Sequence, residues 1–352
     1  MRRLPIYFLV DISESMVGAP IEEVQQGMRT IVQNLRVDPY ALETVFVSII
    51  AFAGKATILS PLTELYKFYP PQFPIGGGTS LGKGLEALMD DIDKSVQKTT
   101  KDLKGDWKPI IFLFTDGNPT DNYSSAFKRW NSKYRGHCNL VAISIGDNVN
   151  VLTLAQLTDD ILLLKETDAE SFSQFFKWIT ASIKSTSMSV GETNIDEVKL
   201  APTTGINLEK VEVNSPTDYD YAEVDDNFVV LHGRCANTNN DYLVKYAKHY
   251  PTERRSGFRH DDGQYRLIGA YPVDKKSYKS LSSGKPPKIN TMLLRGVPTC
   301  PCCGNQFGVV VCECGGISCA GADGYATCPW CGAGGELGEM GPDGMNITRG
   351  LG

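Results

Sequence analysis

The stretch LPIYFLVDISES (Leu4–Ser15) combines a short apolar run with a row of oxygen-bearing side chains. Its first seven residues are typical of a buried strand in a parallel sheet. Its last five residues place the carboxyl group of Asp11 and the hydroxyl groups of Ser13 and Ser15 where the predicted strand is followed by a helix. In open α/β sheets, ligands bind beyond the carboxyl ends of the strands. This stretch therefore predicts both the start of an α/β sheet and the position of a binding site.

Two later segments carry side chains of the same chemistry. Thr79 follows the triple glycine at 76–78, and Asp116 follows the apolar run at 110–114. Each segment either follows a predicted strand or leads into a predicted helix, and loops after neighbouring strands of a doubly wound sheet converge at one crevice. The three segments together predict an all-oxygen site for a hard divalent cation such as Mg²⁺. Its candidate ligands are Asp11, Ser13, Ser15, Thr79 and Asp116.

The charge of this site favours ligand capture over catalysis. Three neutral hydroxyls are expected to bind the cation directly, while the two carboxylates hold it directly or through water. Two carboxylates only just neutralise the ion, and Mg²⁺ prefers six oxygen ligands, so at least one position stays open or water-filled. An acidic side chain of a protein partner would suit that position. We therefore expect a binding protein and not an enzyme.

Residues 4–186 alternate strand and helix patterns with short connections. This order predicts an α/β fold with a doubly wound, mostly parallel sheet. Apolar stripes at helical spacing follow Pro20, follow Thr79 and precede Ser187, and they are typical of core-facing helices. Strands are expected at 5–10, 44–53, 109–115, 139–145 and 160–164, with a further strand or hairpin near 56–64.

The second half of the chain has a different pattern. Residues 192–226 hold ten acidic and two basic side chains, whereas 245–295 hold twelve basic and four acidic ones. These opposed charges are interpreted as solvated or mutually facing surfaces. Short strand-like runs at 228–231, 242–246, 265–270 and 291–294 predict a small β-rich region, and eight glycines among the last 21 residues predict a disordered tail. The predicted divisions are 1–186 for the α/β domain, 187–298 for the β-rich region, 299–332 for a cysteine-rich module and 333–352 for the tail.

Eight of the ten cysteines lie between Cys300 and Cys331. In a chain expected to be cytoplasmic, cysteines at this spacing indicate zinc rather than disulfides. Two Cys-x-x-Cys knuckles supply a four-thiolate site formed by Cys300, Cys303, Cys328 and Cys331. Additional candidate ligands are Cys302, Cys312, Cys314 and Cys319. The isolated Cys138 and Cys235 are interpreted as small buried hydrophobic residues.

The oxygen motif and the cysteine knuckles together resemble a known family. Residues 1–186 resemble a von Willebrand factor type A domain with a metal-ion-dependent adhesion site, whose motif residues match the five oxygen ligands one by one. The stretch FTDGNPTD (Phe114–Asp121) and the cysteine-rich module, which ends in CPWCG (Cys328–Gly332), extend the resemblance to the TerY family of tellurite and stress resistance proteins. The resemblance implies a Rossmann-like fold, bound Mg²⁺ or Mn²⁺ and protein ligands. It also implies that the protein acts together with a protein kinase and a metal-dependent protein phosphatase.

Alternative functions fail at particular positions. A phosphate-binding P-loop over 77–84 fails because Gly84 stands where a serine or threonine should bind Mg²⁺. A phosphohydrolase with Asp11 as nucleophile fails because Ser13 cannot act as its general acid. Nucleic-acid binding through the zinc module and the basic stretch 245–295 is the second hypothesis, although that stretch has no evident recognition motif of interleaved basic and aromatic residues and the net charge is −6. No apolar run has transmembrane length, and a cytoplasmic protein without membrane partners is expected.

Overall fold

The structure is a computed structural model, and it describes residues 2–101, 104–116, 118–145, 151–164, 169–192, 201, 208–211, 224–249, 263–276, 278, 286–338 and 341–351. The chain divides into two compact units. The first unit comprises Met1–Ile12, Ala19–Phe73 and Thr79–Ala222. The second unit comprises Ser13–Gly18, Pro74–Gly78 and Glu223–Gly352. Each unit is described by itself below.

The first unit contains a seven-stranded sheet with strand order β3-β2-β1-β4-β5-β6-β7. The five central strands are parallel, and the two edge strands, β3 and β7, are antiparallel to their neighbours. The predicted doubly wound, mostly parallel sheet is therefore confirmed. Its strands are β1 (Leu4–Asp11), β2 (Val45–Phe52), β3 (Ala56–Glu64), β4 (Ile110–Thr115), β5 (Asn139–Ile145), β6 (Asp160–Leu164) and β7 (Leu208–Lys210).

Helices cover this sheet. They are α1 (Ala19–Arg36), α2 (Pro39–Thr44), α3 (Leu81–Ser95), α4 (Ser124–Lys133), α5 (Val151–Ala155) and α6 (Ala169–Glu192). The apolar stripes predicted from the sequence are buried in α1, in α3 and in the first part of α6. Side chains of α3 and α4 join residues of β1, β2, β4 and β5 in one continuous hydrophobic cluster. The core therefore forms where periodic apolar stripes meet apolar strands.

Asp121 fixes the start of α3 from a distant part of the chain. Its carboxylate accepts hydrogen bonds from the backbone N–H groups of Gly82 at 3.3 Å and Lys83 at 3.2 Å. Burial raises the pKa of Asp121, and these two N–H groups oppose that rise. The Lys83 ammonium donates to the carbonyl of Gly54 at 2.7 Å. The lysine of the rejected P-loop alternative is thus engaged with the backbone of the first unit.

The second unit contains a six-stranded sheet with order β12-β10-β9-β8-β14-β13 and two small two-stranded sheets, β11-β17 and β15-β16. Its strands are β8 (Phe228–Arg234), β9 (Asp241–Lys248), β10 (Tyr265–Pro272), β11 (Lys288–Asn290), β12 (Leu294–Arg295), β13 (Phe307–Val311), β14 (Ile317–Ala320), β15 (Tyr325–Thr327), β16 (Gly334–Glu336) and β17 (Asn346–Thr348). The strand-like runs predicted at 228–231, 242–246 and 265–270 lie in β8, β9 and β10. The run at 291–294 is instead a short 3₁₀ turn followed by β12.

Two parts of the predicted organisation differ from the structure. Strand β14 of the cysteine-rich module pairs with β8 of the β-rich region, so both parts share one sheet. The predicted disordered tail instead contains β17, which pairs with β11, and Ile347 in it is buried. One apolar side chain and a ladder of backbone hydrogen bonds outweigh the flexibility of the glycines. Most of the acidic stretch 192–226 and part of the basic stretch 245–295 lie outside the described residues.

Among the described helices, none is both long enough and apolar enough to cross a membrane.

Gly27 of α1 packs against the ring of Phe176 in α6. A Cβ atom placed there would lie 1.9 Å from Cε2 of Phe176. Gly27→Ala is therefore expected to lower the free energy of unfolding by about 1–3 kcal/mol, measured by urea denaturation, because the buried ring must move.

Gly136→Ala is the matched control, since a Cβ atom at Gly136 meets no heavy atom within 4 Å. Its effect is expected to stay within about 0.5 kcal/mol. At Gly27, which lies inside α1, helix propensity alone would favour alanine over glycine by about 1 kcal/mol. A rise in stability for Gly27→Ala would therefore show that the helices are not in tight contact.

Candidate metal centres

The two carboxylates of the predicted oxygen site lie at the ends of neighbouring parallel strands. Asp11 is the last residue of β1, and Asp116 directly follows β4. The register pairs Val10 with Phe114, which brings both strand ends to the same level of the sheet. Asp11 is 0% exposed and Asp116 is 3% exposed, and the Thr115 hydroxyl donates to Asp11 Oδ2 at 2.7 Å. The fold therefore holds two buried acidic groups side by side.

Thr79 lies beyond the end of the next strand, β2. The N–H of Ser80 donates to the carbonyl of Ala53, which follows β2, at 2.7 Å. Thr79 and Thr120 exchange two hydrogen bonds of 2.8 Å: the N–H of Thr79 donates to the Thr120 hydroxyl, and the N–H of Thr120 donates to the carbonyl of Thr79. These contacts fix the backbone of Thr79 on both sides.

The Thr79 hydroxyl is buried and has no hydrogen-bond partner among the described residues. A buried, unpaired hydroxyl costs about 1–3 kcal/mol. Such groups need an explanation in a well-packed protein, and a missing ion is one of the recognised explanations. The oxygen atom of Thr79 is therefore suited to binding a cation.

Ser13 and Ser15 lie in the segment Ser13–Gly18, which belongs to the second unit and contains a 3₁₀ turn at Glu14–Met16. Both serines are buried, and their hydroxyl oxygens are 2.9 Å apart. Neighbouring ligands in an octahedral Mg²⁺ shell, with Mg–O distances of about 2.1 Å, lie about 3 Å apart. The serine pair therefore has the spacing of two adjacent ligands of such a shell.

Eight cysteines of the second unit form two separate groups. In each group, the four sulfur atoms all lie within 4.8 Å of one another. We call them cluster 1, which contains Cys235, Cys300, Cys303 and Cys319, and cluster 2, which contains Cys312, Cys314, Cys328 and Cys331.

The sulfur spacing in both clusters fits tetrahedral zinc. Four sulfurs at about 2.3 Å from one Zn²⁺ lie about 3.8 Å from one another. In cluster 1, the sulfurs of Cys303 and Cys319 are 3.7 Å apart. In cluster 2, the separations are 3.6 Å between Cys312 and Cys331 and 3.8 Å between Cys314 and Cys328. Each group thus has the ligand type and the dimensions of a closed four-thiolate site.

The structure divides the predicted knuckle cysteines differently from the sequence-based expectation. The knuckle Cys300–Cys303 lies in cluster 1, and the knuckle Cys328–Cys331 lies in cluster 2, so the two do not meet at one centre. Each knuckle instead meets cysteines from other parts of the second unit. Of the additional candidates, Cys312 and Cys314 lie in cluster 2 and Cys319 lies in cluster 1. Cys302 lies in neither cluster and packs, partly buried, against the hydrophobic core.

Cys235 is the cluster residue that sequence reasoning missed. It follows β8 in a tight turn, where the N–H of Thr238 donates to its sulfur at 3.3 Å. Burial alone would raise the pKa of Cys235, but the hydrogen bonds from Thr238 hold it at about 6. The thiolate is the form that binds metal. The only sequence signal was the turn-forming run Ala236–Asn240 directly after the cysteine.

Cluster 2 is attached to the sheet by Trp330, which lies between Cys328 and Cys331. Its indole N–H donates to the carbonyl of Ile317 in β14 at 2.7 Å. The Arg234 guanidinium of β8 lies 3.9 Å from the centroid of the indole ring. Burial opposes ionisation of Cys328, but the backbone N–H groups of Cys331 and Trp330 lower its pKa to about 7. The knuckle thus combines a fixed position with a thiol that ionises more readily than that of a free cysteine.

Comparison with known proteins also divides the chain into an N-terminal part and a C-terminal metal-binding part. Residues 6–178 match the family profile of the von Willebrand factor type A domain, and residues 225–352 match that of the TerY-C metal binding domain. Among curated proteins, the chain is similar to inter-alpha-trypsin inhibitor heavy chain H1 of Bos taurus, with 24% identity over 151 residues. That match covers 42% of this chain and 16% of the relative. The chain thus spans less than a fifth of this relative's length.

Solved structures show similarity over about half of the chain. One is a von Willebrand factor type A protein from Catenulispora acidiphila, with 15% identity and a TM-score of 0.40; the match covers 52% of this chain and 43% of that one. Another is proximal thread matrix protein 1 from the mussel byssus, solved with a zinc-occupied MIDAS motif. That match has 18% identity, a TM-score of 0.39 and coverage of 53% and 46%.

The two family matches, one on each side of the acidic stretch, occur in the order that the sequence resemblance predicts. We call the first unit the type A unit and the second unit the TerY-C unit. The chain carries a von Willebrand factor type A domain followed by a TerY-C metal-binding domain, and this combination matches the one that the resemblance to the TerY family predicts.

Proposed function

We propose that this protein is a non-enzymatic scaffold that captures a protein partner through a divalent cation. Mg²⁺ or Mn²⁺ would be held by Asp11, Ser13, Ser15, Thr79 and Asp116. The observation that carries the proposal is the buried Thr79 hydroxyl, which has no partner among the described residues and lies beyond the same sheet edge as two buried carboxylates. The spacing of the serine hydroxyls supports it further.

The same ligand set defines the partner by its chemistry. Two carboxylates balance the charge of the cation without excess, and five protein ligands leave one octahedral position open. A carboxylate of a partner protein is the best ligand for that position. A protein kinase and a metal-dependent phosphatase of a tellurite or stress resistance system, acting in the cytoplasm, are the partners that the family resemblance suggests.

The two cysteine clusters would each bind one Zn²⁺ and stabilise the fold of the second unit. Their shells are complete with four thiolates and leave no open position for a substrate, as in structural zinc sites. Strand β14 supplies Cys319 and also pairs with β8, directly before Cys235. Zinc binding would therefore connect the strands of the six-stranded sheet.

The competing functions have weaker support. Lys245 belongs to the basic stretch of the nucleic-acid hypothesis, but it is only 4% exposed and donates to the backbone carbonyl of Ser15. It is therefore not available to a phosphate backbone. The P-loop alternative lacks a free lysine, because Lys83 donates to Gly54. These contacts favour the scaffold.

Removal of oxygen ligands tests the cation site. In isothermal titration calorimetry with MnCl₂, Asp11→Ala is expected to abolish Mn²⁺ binding and Thr79→Val to weaken it at least tenfold. Valine has the shape of threonine, so Thr79→Val should leave the free energy of unfolding of the zinc-loaded protein, measured without added Mg²⁺ or Mn²⁺, unchanged or raise it by about 1 kcal/mol. Immobilised Asp11→Ala protein should also fail to retain partners from native extract in Mg²⁺.

Thr57→Val is the matched control, because Thr57 is exposed on β3. It should bind Mn²⁺ and retain partners like the wild type. Partner retention by the wild type that is equal in Mg²⁺ and in EDTA would contradict the proposal.

Zinc stoichiometry tests the two clusters. The wild-type protein is expected to contain two zinc ions per chain by mass spectrometry of metals, and Cys235→Ser is expected to contain about one. Cys302→Ser and Cys138→Ser should both retain two, because neither cysteine belongs to a cluster.

A single shared site of the two knuckles gives a different outcome. In that case the wild type would hold one zinc ion, and both Cys300→Ser and Cys328→Ser would lose all of it. With two clusters, each of these variants keeps about one ion.

A further inference from the structure

The second unit binds the buried carboxylate of Glu14, the residue between the two predicted serine ligands. Glu14 is 1% exposed. The Tyr278 hydroxyl donates to its Oε1, and the N–H of Leu351 donates to its Oε2 at 3.1 Å. Leu351 is itself held in place, since its carbonyl accepts from the N–H of Asp225 at 2.7 Å. Both oxygens of Glu14 are therefore engaged by residues far away in sequence.

Lys245 of β9 binds the same segment through its backbone. Its ammonium group donates to the carbonyl of Ser15 and lies 4.5 Å from the ring centroid of Phe228. The segment Ser13–Gly18 thus contains one buried carboxyl group, that of Glu14, and a buried ammonium group, that of Lys245, lies against its backbone. Buried charges are tolerated only where hydrogen bonds satisfy them, so they restrict the backbone to the conformation that provides those bonds.

Apolar contacts hold the far end of the segment. Val17 belongs to a buried cluster with Val230, Leu243 and Tyr278. Gly18 follows with φ +88°, and a Cβ atom there would lie 2.6 Å from the ring of Tyr271. Only glycine fits this conformation and this space without strain. Tyr278 thus contacts the segment twice, through its hydroxyl and through its ring.

We propose that Glu14, Tyr278 and Lys245 are positioning residues for the oxygen site. This inference rests on the proposed function, because it concerns the same cation. Ser13 and Ser15 flank Glu14, so the hydrogen bonds to Glu14 and to the Ser15 carbonyl set the direction of both hydroxyls. The two hydroxyls, which are hydrogen-bonded to each other at 2.9 Å, are then held at this spacing by protein contacts. Tyr278 and Lys245, which belong to the same unit as the segment Ser13–Gly18, would thus set the geometry of two of the five proposed ligands.

Mn²⁺ titration of the full-length, zinc-loaded protein, followed by electron paramagnetic resonance, tests this inference. Tyr278→Phe and Glu14→Gln are each expected to raise the Kd for Mn²⁺ at least tenfold, within the roughly 10–100-fold range for residues that orient metal ligands. The double variant should bind no more than about threefold more weakly than the worse single variant, because both changes remove one interaction.

Tyr246→Phe is the matched control. It removes a buried hydroxyl from β9 that donates to Gly296 at 3.1 Å, away from the segment. Its Kd for Mn²⁺ should stay within about twofold of the wild-type value. All variants should keep their zinc content, which shows that the second unit is folded, and Glu14→Gln serves where Tyr278→Phe does not fold.

The outcomes separate the two proposals. Wild-type affinity in both single variants, together with loss of binding in Asp11→Ala, would overturn the positioning role and leave the cation site intact. Fully additive losses in the double variant would also overturn it, since Tyr278 and Glu14 would then act independently. Absence of Mn²⁺ binding by the wild type would overturn both proposals.

Discussion

The burial of oxygen-bearing side chains at the ends of parallel strands is the constraint on which the type A unit depends. Asp11 and Asp116 are withdrawn from water at the ends of β1 and β4, where each ionised group loses its hydration. The Thr115 hydroxyl donates one hydrogen bond to Asp11, which replaces part of the lost hydration. A change of strand register cannot relieve the remaining desolvation cost of these groups, because a shift by one residue would turn every side chain of the strand to the opposite face of the sheet. The contacts of Thr120 and Asp121 fix the loop that carries Thr79, a further candidate ligand.

The TerY-C unit meets a different constraint, because its core is small and strands β11 to β17 have only two to five residues each. Cluster 1 joins the turn after β8 to β14 and to the knuckle Cys300–Cys303, and cluster 2 connects to the sheet through Trp330. A closed thiolate shell adds several strong bonds where a small domain buries limited apolar surface. The glycine-rich end of the chain is ordered by backbone pairing. Its strand β17 pairs with β11, and the backbone of Gly350 donates to Val230 of the central sheet at 2.8 Å.

The parts of the molecule that could be predicted are those determined by local sequence. The strands and helices of the type A unit follow from apolar periodicity, and Asp11, Thr79 and Asp116 follow from their positions at strand ends. Long-range pairing in the TerY-C unit was not accessible in this way. The eight cysteines at 300–331 already number enough for two four-ligand sites, so counting gave no reason to include Cys235 or to set Cys302 aside. Cys235 becomes a candidate only when the parallel pairing of β8 with β14 is known, because 84 positions separate it from Cys319.

The two kinds of site also differ in a way that would keep their metals apart. Sites of nitrogen, oxygen and sulfur bind Zn²⁺ more strongly than Mn²⁺, so affinity alone would favour zinc everywhere. The clusters offer four thiolates at tetrahedral spacing, whereas the serine pair offers hard hydroxyl oxygens at octahedral spacing. A rigid pair of hydroxyls 2.9 Å apart suits a six-coordinate ion and disfavours a tetrahedral one, whose ligands at about 2.0 Å would lie about 3.3 Å apart. If Ser13 and Ser15 bind the cation as proposed, restriction of the Ser13–Gly18 segment would contribute to metal selectivity as well as affinity, and the buried contacts of Glu14 and Lys245 would be the physical source of that restriction.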